Sequence, residues 1–345
     1  MTRYLSNADF DRFLEVLSLS YQVYVPVQKD KQRFYKKFIP PQPVTVGEVR
    51  TFEPLKAFFT RAREFVAHNF DEALPHPKAK PIAIVGAKSC DLKGFKIQDY
   101  VFSGRHGQDS ADPFYVSNRR DNLIISSDCT CALETCFCLS LGLMPHPEDG
   151  FDINLSPLEK GFLVETASEK GQSLIEKNLS LFKEAGKEHF SQRESVRSQT
   201  AAQVAENLKV NDVPHQDNFE GIIKRNFESD IWKEEAKTCV ECGACTIICP
   251  TCHCFLLYDQ KNETDMARLR VWDSCMIKDY ARVAGGGNPR PQLWQRLRNR
   301  FDKKFDFFPK VAQVYACTGC GRCISACPAK IDIRRVLRKL VNSHV

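Results

Sequence analysis

Cys239, Cys242, Cys245 and Cys249, followed by Pro250, spell CxxCxxCxxxCP, and Cys317, Cys320, Cys323 and Cys327, followed by Pro328, spell it again. Three thiolates at this spacing wrap one face of a cubane iron–sulfur cluster, and the fourth, before proline, ligates the other cluster in two-cluster proteins. The spacing therefore predicts one [4Fe–4S] cluster on Cys239, Cys242, Cys245 and Cys327, and a second on Cys317, Cys320, Cys323 and Cys249. Gly243, Gly319 and Gly321 inside the motifs let the backbone curl and bring its N–H groups toward the sulfurs. Structural zinc also uses paired thiolates, but two CxxC knuckles suffice for it, and a third Cys plus a Cys-Pro, given twice, exceeds that need. Disulfides are disfavoured: MTRYLSNADF has no apolar segment of the kind export uses, which predicts a reducing, cytoplasmic setting. Two clusters in one small domain mean electron transfer.

A further group, Cys90, Cys129, Cys131, Cys136 and Cys138, lies in the first half of the chain. Cys90 follows a strand expected over Pro81–Gly86, and the other four follow one ending near Ser126. Both sets thus emerge at the carboxyl ends of strands, where ligands sit in open α/β sheets. On an extended chain Cys136 and Cys138 would face the same side. By spacing alone a third cluster, zinc and free buried thiols all stay open, because no standard four-cysteine run is present.

The elements that must position these residues divide the 345-residue chain at about Asp217. Residues 1–217 read as a mixed α/β domain. Asn7 is a candidate cap for a helix carrying Phe10, Phe13, Leu14 and Leu17; strands are expected at Tyr21–Val27, Leu123–Ser126 and Phe162–Thr166. Helices are expected at Asp91–Phe102, Gln172–Ala185 and Glu194–Leu208, the last one polar, leading into a linker at Lys209–Phe219. Residues 218–345 read as an α-helical ferredoxin-like domain. The stretch between Cys249 and Cys317 is too long to lack structure and is expected to be helical around Asp279–Ala284 and Pro291–Phe301. Ile331–Asn342 supplies a closing amphipathic helix.

No apolar stretch is long enough to span a bilayer. The formal charge of +6 is no argument for nucleic acid, since each oxidised cluster with its four thiolates carries about −2. The basic run from Arg290 to Lys304 reads as a solvated helix face in preference to a docking patch for an acidic partner.

At the cysteine groups the chain resembles the iron–sulfur β subunits of soluble sulfhydrogenases and the corresponding iron–sulfur subunits of anaerobic sulfite reductases. The matching pieces are SCDL (Ser89–Leu92), DPFYVSNRRDN (Asp112–Asn122), the CT at Cys129, TCFC (Thr135–Cys138), GFLVE (Gly161–Glu165), CPTCHCF (Cys249–Phe255), RVWDSC (Arg270–Cys275), AGGGNPRP (Ala284–Pro291) and CTGCGRCISACP (Cys317–Pro328). The resemblance implies a third [4Fe–4S] cluster on Cys90, Cys129, Cys136 and Cys138, leaving out Cys131, which matches no usual Cys of the family. It implies an electron-transfer subunit of a hetero-oligomer. Its expected partners are a flavin- and NAD(P)H-binding subunit, or a ferredoxin, and a catalytic subunit of hydrogenase or sulfite reductase type.

Cys252, Cys254 and Cys275 are expected to pack beside clusters, and Trp272 and Asp273 to pack and cap; no residue is required as acid, base or nucleophile. A catalytic subunit of heterodisulfide reductase type would carry adjacent Cys-Cys pairs, and there are none. A flavin- or NAD-binding dehydrogenase would carry GxGxxG; only Gly86 after a strand hints at a phosphate loop.

Overall fold

The computed structural model describes residues 2–69, 71–72, 80–104, 110–261, 263 and 265–343. One sheet joins β1 (Thr2–Ser6), β2 (Gln22–Lys29), β3 (Gln32–Lys37), β6 (Ile82–Ala87), β7 (Leu123–Ser127), β8 (Ile153–Leu158) and β9 (Gly161–Thr166) in the order β1-β9-β8-β7-β6-β2-β3. Its centre is parallel, from β2 through β6 and β7 to β8, and its edges are antiparallel. The central strands are apolar on both faces, as a parallel sheet covered on both sides requires. Ala83, Val85, Leu123 and Ile125 pack toward helix α1 (Asn7–Ser20) through Phe10, Phe13, Leu14 and Leu17. Ile84 and Ile124 pack toward α2 (Ser89–Phe102) and α3 (Pro113–Asp121) through Leu92, Phe95 and Tyr115.

The expected helix cap moves by one residue: Ser6, not Asn7, accepts from Asp9 N at 3.2 Å. The helix expected over Gln172–Ala185 is shorter, α4 (Glu169–Glu176), and gives way to a 3-10 turn at Leu179–Leu181. The polar helix is longer than expected, α5 (Lys187–Val210). Lys209–Phe219, the expected linker, is fastened down: Ser140 Oγ donates to Pro214 O at 2.7 Å, and Phe219 is fully buried.

A second sheet has the order β10-β11-β4-β5, with β4 (Arg63–His68), β5 (Asp71–Glu72), β10 (Phe255–Lys261) and β11 (Met266–Trp272). The segment between the two cysteine motifs thus carries a β-hairpin, which corrects its helical reading. Strand β11 takes β4, from the first half of the chain, as its other neighbour. Around Asp279–Ala284 there is only a 3-10 turn at Lys278–Ala281, whereas Pro291–Phe301 yields α9 (Leu293–Asp302).

The remaining helices are short: α6 (Ile222–Arg225), α7 (Ile231–Ala236), α8 (Ala244–Ile247), α10 (Phe308–Ala312), α11 (Arg322–Ser325) and the closing amphipathic α12 (Ile333–Asn342). Phe137 and Leu141 from the first half enter the apolar core that Trp232, Phe301, Phe305 and Leu337 build in the second. Among the described residues no helix is long and apolar enough to cross a membrane.

Candidate iron–sulfur sites

Each ferredoxin-type motif runs through a left-handed glycine into one turn of helix. Gly243, with φ of 70°, opens α8, and Gly321, also at 70°, opens α11. A side chain at these backbone angles would be strained, so glycine is the residue that turns the chain back on itself. The curl brings N–H groups near sulfur: those of Gly319 and Glu241 favour the thiolate forms of Cys317 and Cys239. Ile331 N–H reaches Cys327 Sγ at 3.4 Å.

Cys239, Cys242, Cys245 and Cys327 line one cavity, together with Cys323. Cys249, Cys317, Cys320 and Cys323 line a second. The last Cys of each motif therefore stands with the first three of the other. Among the described residues no three Cys, His, Asp or Glu side chains converge on a point that would grip a single ion. Thiols around a void suit a cubane, each of whose iron atoms takes one thiolate, better than zinc, which draws four ligands to one centre.

Burial keeps several of these thiols protonated without metal: Cys317 is pushed up to about 12 and Cys323 to about 11. Cys249 moves the other way, held low by a hydrogen bond from Cys252 and, against its burial, by the Lys304 ammonium and Thr251 hydroxyl. Lys304 Nζ lies 3.3 Å from Cys249 Sγ, 3.7 Å from Cys252 Sγ and 2.8 Å from Ala316 O.

This corrects the reading of the basic run as a solvated face, since Arg296, Arg300 and Lys304 are only 1 %, 5 % and 3 % exposed. Burial opposes the Arg300 charge, but the sulfurs of Cys245, Cys323, Cys252 and Cys249, when ionised, outweigh it and raise the guanidinium's pKa. The signal was in the spacing: these three cations recur every fourth residue, each directly before an apolar Leu297, Phe301 or Phe305, so they share the inward face. Arg298 is half-buried, its guanidinium 3.5 Å from the Phe227 ring centre, and of the run's later cations only Lys303 is exposed.

The first-half cysteines follow the carboxyl ends of the neighbouring strands β6 and β7, where the sequence puts them. Cys90, Cys136 and Cys138 share one packed group with Leu143 and Val204, and the Cys129 sulfur is within electrostatic reach of all three. Burial raises all four thiols, Cys129 to about 11, with Lys88 opposing. Cys131 lies beside Cys129 and Arg33. The parity argument for Cys136 and Cys138 does not hold as drawn, because Phe137 has ψ of 31° and Cys138 opens a 3-10 turn. The two sulfurs meet through a bend instead.

Helix α5 explains its own polarity here. Arg197 pairs with Asp128 at 2.8 Å, Thr200 Oγ1 donates to Cys129 O at 3.0 Å, Gln203 accepts from Ala132 N at 2.9 Å, and Asn207 donates to Leu133 O at 2.8 Å. Polar residues every three or four positions thus clamp the backbone of the cysteine loop. Lys88, two residues beyond the Gly86 that hints at a phosphate loop, is buried and donates to Val46 O at 2.7 Å and Asp128 O at 3.0 Å, so two of its three ammonium protons are engaged within the protein.

This third group adjoins the second cavity. Phe137 N donates to Gly319 O at 2.8 Å, Cys90 and Cys136 lie within electrostatic reach of Cys320, and Arg322 pairs with Asp91 at 2.7 Å. Of the remaining cysteines, Cys252 hydrogen-bonds Cys249, while Cys254 bonds Cys275 and Tyr280. Asp273 accepts from Ser274 N at 2.6 Å, and Trp272 lies under the Lys56 ammonium, 4.5 Å from its ring centre.

Two reciprocal cysteine cavities on one compact scaffold define a dicluster iron–sulfur protein, and residues 238–331 match the 4Fe-4S dicluster domain, which implies two [4Fe–4S] clusters. Over 96 % of its length, and 96 % of the relative's, the chain is 32 % identical to sulfhydrogenase 2 subunit beta of Pyrococcus furiosus. It belongs to the sulfhydrogenase beta subunit family. A shorter similarity, 26 % over 107 residues, links 31 % of the chain to 7 % of the pyruvate-flavodoxin oxidoreductase of Trichormus variabilis.

Proposed function

We propose that the chain is the iron–sulfur electron-transfer subunit of a cytoplasmic hetero-oligomeric redox enzyme. In this reading it relays electrons between a flavin- and NAD(P)H-binding subunit, or a ferredoxin, and a catalytic subunit of hydrogenase or sulfite reductase type. The clusters, when bound, supply one-electron storage at potentials set by net charge, hydrogen bonds to sulfur and solvent exposure. The chain's own part is to hold Cys239, Cys242, Cys245 and Cys327 around one cluster and Cys317, Cys320, Cys323 and Cys249 around the second. Cys90, Cys129, Cys136 and Cys138 would hold a third [4Fe–4S] cluster. The observation that carries the reading is the continuity of the three thiol groups: Cys323 lines both C-terminal cavities, and Cys320 is in reach of Cys90 and Cys136. The relative's name, a subunit of a sulfhydrogenase, supports membership of a larger complex.

The test is electron flow through the anaerobically reconstituted chain. Once reduced by dithionite, it should pass its stored electrons to a viologen-type dye and then stop. With NADH or NADPH alone, dye reduction should not proceed. Steady nicotinamide-dependent turnover by the lone chain would replace the relay with a dehydrogenase site.

A further inference from the structure

Arg300 and Lys304 stand one turn apart, and the winding changes between them from the α-helix ending at Asp302 to a π-helical stretch at Lys303–Phe307, an irregularity found mostly at functional sites. Arg300 lines both C-terminal cavities, its Nη2 donates to Cys245 O at 3.5 Å, and its buried Nε has no hydrogen-bond partner. Lys304 lines only the cavity of Cys249, Cys317, Cys320 and Cys323. Lys304 Nζ stands 3.3 Å from Cys249 Sγ and 3.7 Å from Cys252 Sγ, and among the described residues neither cation forms an ion pair with a carboxylate. Of the other cations near the sites, Arg322, beside Cys320, is offset by Asp91 at 2.7 Å and Arg335, near Cys327, by Glu235 at 2.8 Å, whereas Arg50 and Lys56 donate to the backbone carbonyls of Cys320 and Cys252 and line neither cavity.

We propose that Arg300 is a positive charge shared by both C-terminal cluster sites and Lys304 one private to the site of Cys249, Cys317, Cys320 and Cys323, so that this site takes the first electron. The inference rests on the electron-transfer reading above. Reduction makes a cluster one charge more negative, and a buried cation paired with no carboxylate favours that state far more than an exposed one would. Two such cations line one cavity and one lines the other, and the further buried cations Arg50 and Lys56 stand on the side of the first. The favoured site is also the central one, adjoining both neighbours, so it collects electrons from either side.

The test is an EPR-monitored redox titration of the full, anaerobically reconstituted chain, each signal being assigned by its loss in Cys320→Ala or Cys327→Ala. In the wild type the signal lost in Cys320→Ala should appear at the higher potential. Lys304→Met, or Lys304→Gln where the methionine variant loads less iron, should weaken electron binding at that site at least tenfold, 59 mV downward for one electron, and leave the other site unmoved. Arg300→Gln should lower both sites. Lys304→Arg, which keeps the charge, should restore wild-type potentials. Loaded variants with unmoved potentials, or an equal shift at both sites in Lys304→Met, overturn the inference while leaving the relay intact. Iron well below about eight atoms per wild-type chain removes the C-terminal clusters themselves, and the inference with them.

Discussion

Gly319 lies so close to Cys138 that a Cβ at position 319 would stand 2.5 Å from both the nitrogen and the Cα of Cys138, and 2.6 Å from the carbonyl carbon of Phe137. The second ferredoxin motif is thus pressed, backbone on backbone, against the N-terminal cysteine loop. Gly319 also has φ of 63°. Gly319→Ala should destabilise the chain by more than ~2 kcal/mol, since the left-handed backbone alone costs a side chain about 1–2 kcal/mol and the contact cannot be relieved by a rotamer. Anaerobic thermal unfolding measures this. A melting temperature equal to wild type would mean that the two motifs are not tightly docked.

The cysteine motifs, the central strands β6 and β7 and helix α2 were legible because each rests on a local pattern: fixed spacing, a continuous apolar run, a 3.6-residue period. The β10–β11 hairpin was not. Phe255–Lys261 has no buried residue to impose alternation, and β11 completes its pairing with Arg63–His68, far away in sequence. The buried cations were misread for a related reason. Arg300 and Lys304 look like any solvated helix face until the thiolates that compensate them are brought in from two distant motifs. Likewise the Cys136–Cys138 pairing was expected from strand parity, which a bend at Phe137 replaces.

The exchange of ligands between motifs has a direct test. Cys327 lines the cavity of Cys239, Cys242 and Cys245 and not that of Cys249 and Cys317. Cys327→Ala should therefore alter or abolish the EPR signal that a Cys242→Ala variant also affects, and spare the one that depends on Cys320. Loss of the Cys320-dependent signal instead would mean that each motif keeps its own fourth ligand.

Cys254 gives a prediction in pH. A hydrogen bond from Cys275, helped by the Tyr280 hydroxyl and opposed by burial, holds its thiol down at about 6, against 9.0 for an unperturbed one. The folded state thus carries thiolate where the unfolded chain carries thiol, so this stabilisation is complete above pH ~9 and fades as pH falls toward ~6. In the loaded protein Cys254 should be alkylated by iodoacetamide with a half-maximal rate near pH 6, read by peptide mass spectrometry. Cys275→Ala should move that midpoint up toward the ordinary thiol value. An unshifted midpoint would leave Cys275 without influence on its neighbour.

The third site is the most exposed prediction, because its ligands follow no standard run. Cys90, Cys136 and Cys138 pack together with Cys129 in reach, while Cys131, in electrostatic reach of Cys129 and Arg33, is outside that packed group. Anaerobic reconstitution should load about twelve iron and twelve sulfide per chain, four of each per cubane. Cys136→Ala should remove about a third of the iron while both Cys320- and Cys242-dependent signals persist, and Cys131→Ser should remove none. Asn207→Leu supplies a control on the scaffold: it deletes the bonds from α5 to Leu133 O at 2.8 Å and to Cys136 O at 3.4 Å without removing a thiol. If the clamp holds the loop in register, this variant should shed third-site iron faster than wild type under a chelator, with the other two clusters retained. About eight iron in the wild type, unchanged by Cys136→Ala, would leave the N-terminal thiols as packing, and the domain as a scaffold that seats the dicluster module on its partners.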